Sequence, residues 1–160
     1  MSSLITRNWF QALITSLLVL AMANTVNAAS VHFKTQPTFT DNGDTLETCL
    51  SLAGLGNRDV TITVAVTGEA TVLYFNPGGN KPPGQNKIPI SAVATTTIPS
   101  TQIKNGNVSV CLETEPIPAP TPPPNENWTA EITSVDFFTA TITVVQRGRV
   151  VLKETFDLDN

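Results

Sequence analysis

The sequence predicts an all-β domain, an antiparallel two-sheet sandwich of about eight or nine strands that follows a signal peptide. Three observations carry this expectation. Past residue 28 the chain is rich in Thr and Val, whose branched Cβ atoms fit a pleated surface. Its apolar residues recur at every second position, the strand period, and no stretch shows a 3.6-residue apolar stripe. Turn residues punctuate the pattern at short intervals, which is the rhythm of a sandwich or barrel.

Residues 1–28 read as a signal peptide. Arg7 precedes an apolar run from Trp9 to Met22, and Val26-Asn27-Ala28 supplies the small residues a signal peptidase recognises. The run is too short and too weakly flanked for a transmembrane helix, and no second hydrophobic span follows. No Cys follows it directly, which argues against a lipid anchor. Cleavage after Ala28 leaves residues 29–160 as a single domain of 132 residues. A chain of that length buries roughly two-thirds of its unfolded surface. Its eight Lys or Arg face thirteen Asp or Glu, a net charge of −5. That balance argues against nucleic acid and against anionic lipid as partners, since both need a basic face. The expected destination is secreted or periplasmic.

Export also accounts for the two cysteines. An oxidising compartment favours a Cys49–Cys111 disulfide, and the spacing is not the C-x-x-C of a redox pair. Closing a loop of that length contributes up to ~4 kcal/mol on the chain-entropy model.

The expected strands run at about 31–40, 44–53, 59–67, 70–76, 87–98, 107–115, 128–133, 136–146 and 149–158. The clearest is "DVTITVAVTG", with Val60, Ile62, Val64 and Val66 on one face and Thr61, Thr63, Ala65 and Thr67 on the other. "NVSVCLETE" opposes Val108, Val110 and Leu112 to Ser109, Cys111 and Glu113. "DNGDTLETCLSLAG" sets Leu46, Leu50 and Leu52 on one side, after a turn whose Asn42-Gly43 dipeptide suits a type I′ hairpin. In the C-terminal stretch Phe138, Ala140, Ile142 and Val144 alternate with Thr139, Thr141 and Thr143, and Arg147-Gly148 forms a tight turn into the last strand.

The second and sixth of these strands carry Cys49 and Cys111. In topology and cysteine spacing this resembles the immunoglobulin fold, in which a bridge joins strands B and F across the two sheets. The third strand holds Ile62 and Val64 where that fold carries Trp, and Ser109 stands where it carries Tyr. Both cysteines lie opposite their strands' apolar faces, so a bridge between neighbouring strands near a surface is equally open. "PTFTDNGDTL", "LAGLGNRDVTI", "NPGGNKPPGQN", "IKNGNVSV" and "NENWTAEITSVDF" resemble a group of small secreted bacterial β-sandwich proteins without assigned activity. The resemblance spans most of residues 29–160 and implies an exported β-domain; it implies no chemistry.

Two connections are long: a Gly/Pro loop at 76–87 and a Pro-rich loop at 116–127. If every connection reverses the chain, connections alternate between the two ends of the sandwich. That count places 54–58, 76–87 and 116–128 together, with Asn76, Asn80, Gln85 and Trp128 as candidate binding residues. Pro82 and Pro83 fix two φ angles while Gly78, Gly79 and Gly84 permit positive ones, the mixture of a shaped loop. The run Pro116 to Pro124 favours an extended path, either a stiff crossover between sheets or a partner-docking strip.

Chemistry is sparse. His32 sits on an expected edge strand as a solvated side chain, no G-x-S-x-G occurs, and one His with two paired Cys cannot make a zinc site. Asp41 and Asp44 are weak calcium candidates in the "DNGD" turn, without the bidentate Glu of an EF-hand. Asn107-Val108-Ser109 and Asn127-Trp128-Thr129 match the glycan-acceptor pattern. No cofactor is expected. The expected function is a non-enzymatic exported binding module of the cell envelope or extracellular space, recognising a carbohydrate or protein through its loop end. The alternative is a structural subunit associating through sheet edges, with Val150–Leu158 as the edge. A remote alternative is a glycoside hydrolase using Glu113 and Glu115.

Overall fold

In the computed structural model the described residues are 30–80, 86–119 and 127–158. The signal-peptide reading, Lys81–Gln85 with the candidate Gln85, and most of the Pro-rich run lie outside them. The described residues form β1 (His32–Asp41), β2 (Leu46–Ala53), β3 (Val60–Phe75), β4 (Asn86–Ile98), a 3-10 turn (Ser100–Gln102), β5 (Val108–Glu113), β6 (Thr129–Gln146) and β7 (Arg149–Asp157). None of their helices is long and apolar enough to cross a membrane.

Two antiparallel sheets pack face to face, one ordered β1-β2-β5 and the other β4-β3-β6-β7. Lettered A to G in chain order, they read A-B-E and D-C-F-G. In a constant-type immunoglobulin domain the fourth strand pairs with the fifth; here it pairs with the third, along thirteen residues from Val60↔Ile98 to Val72↔Asn86. The period-two pattern becomes the core directly. Leu46, Leu50 and Leu52 of one sheet face Val60, Ile62, Val64, Val66, Ala140, Ile142 and Val144 of the other, and all are buried. Phe156 of β7 lies against Phe33 and Phe39 of β1, with centroids 5.6 and 5.4 Å apart, and closes one side of the sandwich.

The described residues hold seven strands rather than eight or nine, because two expected breaks are bulges inside continuous strands. Gly68-Glu69-Ala70 reads as a turn, yet β3 runs through it paired to β6 along its length. The glycine answers a close approach. A Cβ on Gly68 would collide with the carbonyl oxygen of Asp136 and come within 2.9 Å of Phe137 Cα. Opposite it the pairing steps from Thr67↔Thr139 to Gly68↔Phe137, leaving Phe138 as an extra residue. A second step, from Thr71↔Ser134 to Val72↔Ile132, leaves Thr133 extra. The first bulge resets the alternation, so Phe137 and not Phe138 enters the core alongside Ala140 and Ile142.

The disulfide is present but does not cross between sheets. Cys49 of β2 and Cys111 of β5 are directly opposed neighbours in one sheet, with Cα atoms 4.0 Å apart. They lie on that sheet's outer face beside the Ser51–Ser109 hydroxyl pair at 2.6 Å. The expected pairing holds and Cys49 lies on the second strand, but Cys111 lies on the fifth strand and not the sixth, because β3 is unbroken. The cross-sheet analogy fails, for the reason visible in their parity: both oppose the apolar face.

The outer face of the larger sheet is a threonine surface. Thr61–Thr97, Thr63–Thr95, Thr67–Thr139 and Thr141–Thr155 join hydroxyl to hydroxyl across strands at 2.8–3.1 Å. Such pairs stabilise a solvated face by roughly 0.2–1 kcal/mol each.

Candidate functional site

Because β3 is unbroken, the connections sort differently between the two ends. The β1–β2 turn, the exit from β3 with the entry to β4, and the exit from β5 with the entry to β6 share one end. The β2–β3 connection at 54–59, the segment 99–107 and the β6–β7 turn share the other. The Gly/Pro and Pro-rich loops therefore leave from a common end, beside "DNGD" and not beside Gly54–Arg58, which corrects the expected grouping.

At the loop end local hydrogen bonds shape the backbone. Asn76 Oδ1 accepts from the amides of Gly78 and Asn80 at 3.0 and 2.9 Å, and the Gly79 amide donates to the Asn76 carbonyl at 2.8 Å. This is an Asx-type turn, so the Asn76 side-chain oxygen Oδ1 organises the loop start. Asn80 is exposed, and Trp128 is half-buried immediately before β6. Tyr74 and Phe75 are both half-buried. The start of the Pro-rich run is tied to the beginning of β2 and the turn before it. The Thr114 amide donates to the Leu46 carbonyl at 3.1 Å and the Ile117 amide to the Asp44 carbonyl at 3.0 Å, with Ile117 buried.

The "DNGD" turn is built by side chains. The Gly43 amide donates to Asp41 Oδ1 at 2.8 Å, and Glu113 Oε1 accepts from Thr45 Oγ1 at 2.6 Å and from Asn42 Nδ2 at 3.2 Å. Those bonds, Thr45 first and Asn42 second, hold the Glu113 carboxyl below its ordinary range. Gly43 has positive φ (95°) and Asn42 does not, which excludes the expected type I′ geometry. Asp41 and Asp44 are exposed, and neither belongs to a group of three convergent metal-ligating side chains among the described residues. The one such group, Glu47 with Cys49 and Cys111, has both sulfurs in the disulfide. Glu115 is exposed two residues beyond Glu113, and His32 is exposed with Nδ1 2.8 Å from the Ser30 carbonyl oxygen. Asn107 Nδ2 donates to the Asn105 carbonyl at 2.8 Å, closing the turn at 104–107.

The opposite end holds residues that sequence reasoning passed over. Gln146, only 7 % exposed, accepts from the Gly56 amide at 2.9 Å and donates to the carbonyls of Gly56 at 3.0 Å and Arg58 at 2.7 Å. The Leu55 amide donates to the Gly106 carbonyl at 3.0 Å, and the Ser100 amide to Asp59 Oδ1 at 2.8 Å. These bonds fix three connections around an open cleft of about 570 Å³ lined by Asn57, Arg58, Asp59, Ser100 and Arg147. Arg147 has φ 56°, an unusual left-handed conformation for a long side chain. The available signal was Arg in the first central place of an Arg-Gly hairpin turn, where Asn, Asp or Gly is the ordinary occupant.

No protein-family model matches this chain, and no curated protein matches it.

Proposed function

We propose that the protein is an exported, non-enzymatic binding module of the cell envelope or extracellular space, recognising a carbohydrate or protein through its loop end. One observation carries the reading. Both long connections open at the end where the "DNGD" turn, the Asn76 turn and the 114–117 segment are each pinned by hydrogen bonds. Connections displayed from a rigid sandwich are the usual recognition surface of such folds. Trp128 borders that surface and offers an aromatic face for a sugar ring or a proline. The Cys49–Cys111 disulfide fits an exported domain. The hydrolase alternative gains no support from Glu113, whose carboxyl is held low by Thr45 and Asn42, whereas a general acid needs a raised value.

The test is a binding screen on glycan arrays and by pull-down with extracellular proteins, repeated with Trp128→Ala and with the 76–87 loop shortened. Loss of a partner in both variants, with the unfolding midpoint retained in the shortened loop, supports the reading. A partner bound equally by the parent and both variants contradicts it.

A second reading, association through sheet edges, is favoured by exposed apolar side chains on edge strands: Val150 at 60 % and Val93 at 51 %. β7 is the less suitable edge, because Val151 is an extra residue between Leu152↔Val144 and Val150↔Val145. β4 offers the longer, unshifted ladder. Light scattering that shows only monomers at high concentration contradicts this reading.

A further inference from the structure

We propose that the cleft between the β2–β3 connection, the 3-10 turn and the β6–β7 turn binds an oxyanion carried on a sugar-sized molecule, with Arg58 and Arg147 holding the anionic group. The site is at the end away from the long loops and does not rest on the reading above.

Charge placement is the first observation. The chain past residue 28 has eight cations among thirteen acids. Four of those cations, Arg58, Lys104, Arg147 and Arg149, lie at this one end. The described acid among them, Asp59, has Oδ1 accepting the Ser100 amide. Among the described residues none of the four cations has an ion pair; the pair there is Lys87–Glu69, near the other end. Gathering unpaired cations works against folding through self-repulsion, and it gathers anions.

Conformation is the second observation. Arg147 occupies a left-handed position that Gly fills without strain and Asn with less strain than Arg. Strain kept at a solvent-facing turn calls for a return elsewhere, and here the residue lines the cleft with Arg58. Construction is the third. Gln146 bonds to Gly56 and Arg58, and Asp59 bonds to Ser100, so the walls are tied to the sandwich.

The ligand class follows from these groups. A guanidinium is a planar fork that meets carboxylate, sulfate or phosphate oxygens two at a time and stays charged at any physiological pH. Arg58 and Arg147 supply two forks. Asn57 and Ser100 supply neutral donors and acceptors of the kind that meet hydroxyls. The cleft, about 570 Å³, is far larger than a lone ion and lies in the range of small-molecule sites.

The test is a titration of the 15N-labelled protein followed by backbone amide and arginine Nε–H signals. The probes are glucuronate, glucose and sodium sulfate, with sodium chloride at matched ionic strength as the reference. The expected result is saturable shifts at Arg58, Asp59, Ser100 and Arg147 with glucuronate and none with glucose. Arg58→Gln with Arg147→Gln should raise the glucuronate dissociation constant about tenfold or more. Arg147→Asn, which suits the backbone better, should weaken binding while keeping or raising the unfolding midpoint. Equal affinity for sulfate and glucuronate refutes the sugar-sized ligand while keeping the anion site. Shifts no larger than those in sodium chloride, or unchanged binding in the double variant, overturn the proposal.

Discussion

Replacing Gln146 by Leu removes the side chain that ties the β2–β3 connection to the end of β6. The size changes little and the position is nearly buried, so lost polar contacts dominate. Three hydrogen bonds disappear, from the Gly56 amide and to the carbonyls of Gly56 and Arg58. At about 0.5–1.5 kcal/mol each, the loss is roughly 1.5–4.5 kcal/mol. Leucine's greater apolar transfer offsets about 1 kcal/mol, leaving a destabilisation of ~0.5–3.5 kcal/mol. Urea unfolding followed by Trp fluorescence measures it as a lowered midpoint at constant slope. Gln146→Glu is the discriminating companion. Its carboxylate still accepts from Gly56 but faces two carbonyls with no donor, so the ionised form is disfavoured in the folded state. This variant is expected to be less stable than Gln146→Leu at neutral pH and to recover as pH falls. Midpoints for both variants equal to the parent's would refute the reasoning, since the 54–58 connection would then be held by something else.

Three further outcomes follow from the same contacts. Cys49→Ala with Cys111→Ala opens a loop spanning 62 residues of sequence separation and is expected to cost up to ~4 kcal/mol by urea unfolding while retaining the β-type circular dichroism spectrum. Thr48→Val should leave stability unchanged or raise it by about 1 kcal/mol, because the Thr48 hydroxyl is fully buried without a hydrogen-bond partner among the described residues; a loss of that size would reveal a hidden partner. Glu113 has a lowered folded-state pKa, so its contribution is present above the unfolded value and is lost as pH falls through the lowered one. The stability difference between the parent and Glu113→Gln should accordingly shrink on acidification through the carboxylate range, and a difference independent of pH would contradict the Thr45–Asn42–Glu113 network.

The period-two pattern was enough to place nearly every core residue, since Val60 to Val66 and Ile142 to Val144 alternate without ambiguity. It failed at Gly68 and around Phe138, where an absent Cβ and an extra residue are long-range facts about β3 and β6 together. Glycine between two strand-like runs is the mark of a turn and equally of a close backbone approach, and only the partner strand tells them apart. That single misreading moved Gly54–Arg58 to the wrong end. The disulfide partners were legible from composition, and their parity left a bridge between neighbouring strands as open as a cross-sheet one. The Glu113 and Gln146 networks were not legible, because each joins residues 68–90 positions apart. The Arg58–Arg147 cleft was hidden for the same reason, apart from the unusual Arg in the hairpin turn.

Which connections share an end depends on β3 passing straight through Gly68, and cross-strand nuclear Overhauser effects test that most directly. The structure predicts contacts from β3 to both β4 and β6 on either side of Gly68, with Thr67 opposite Thr139, Gly68 opposite Phe137 and Ala70 opposite Val135. Contacts that stop at Thr67 and resume in reversed order from Ala70 would show a turn there, place the Gly/Pro loop at the other end, and contradict the account.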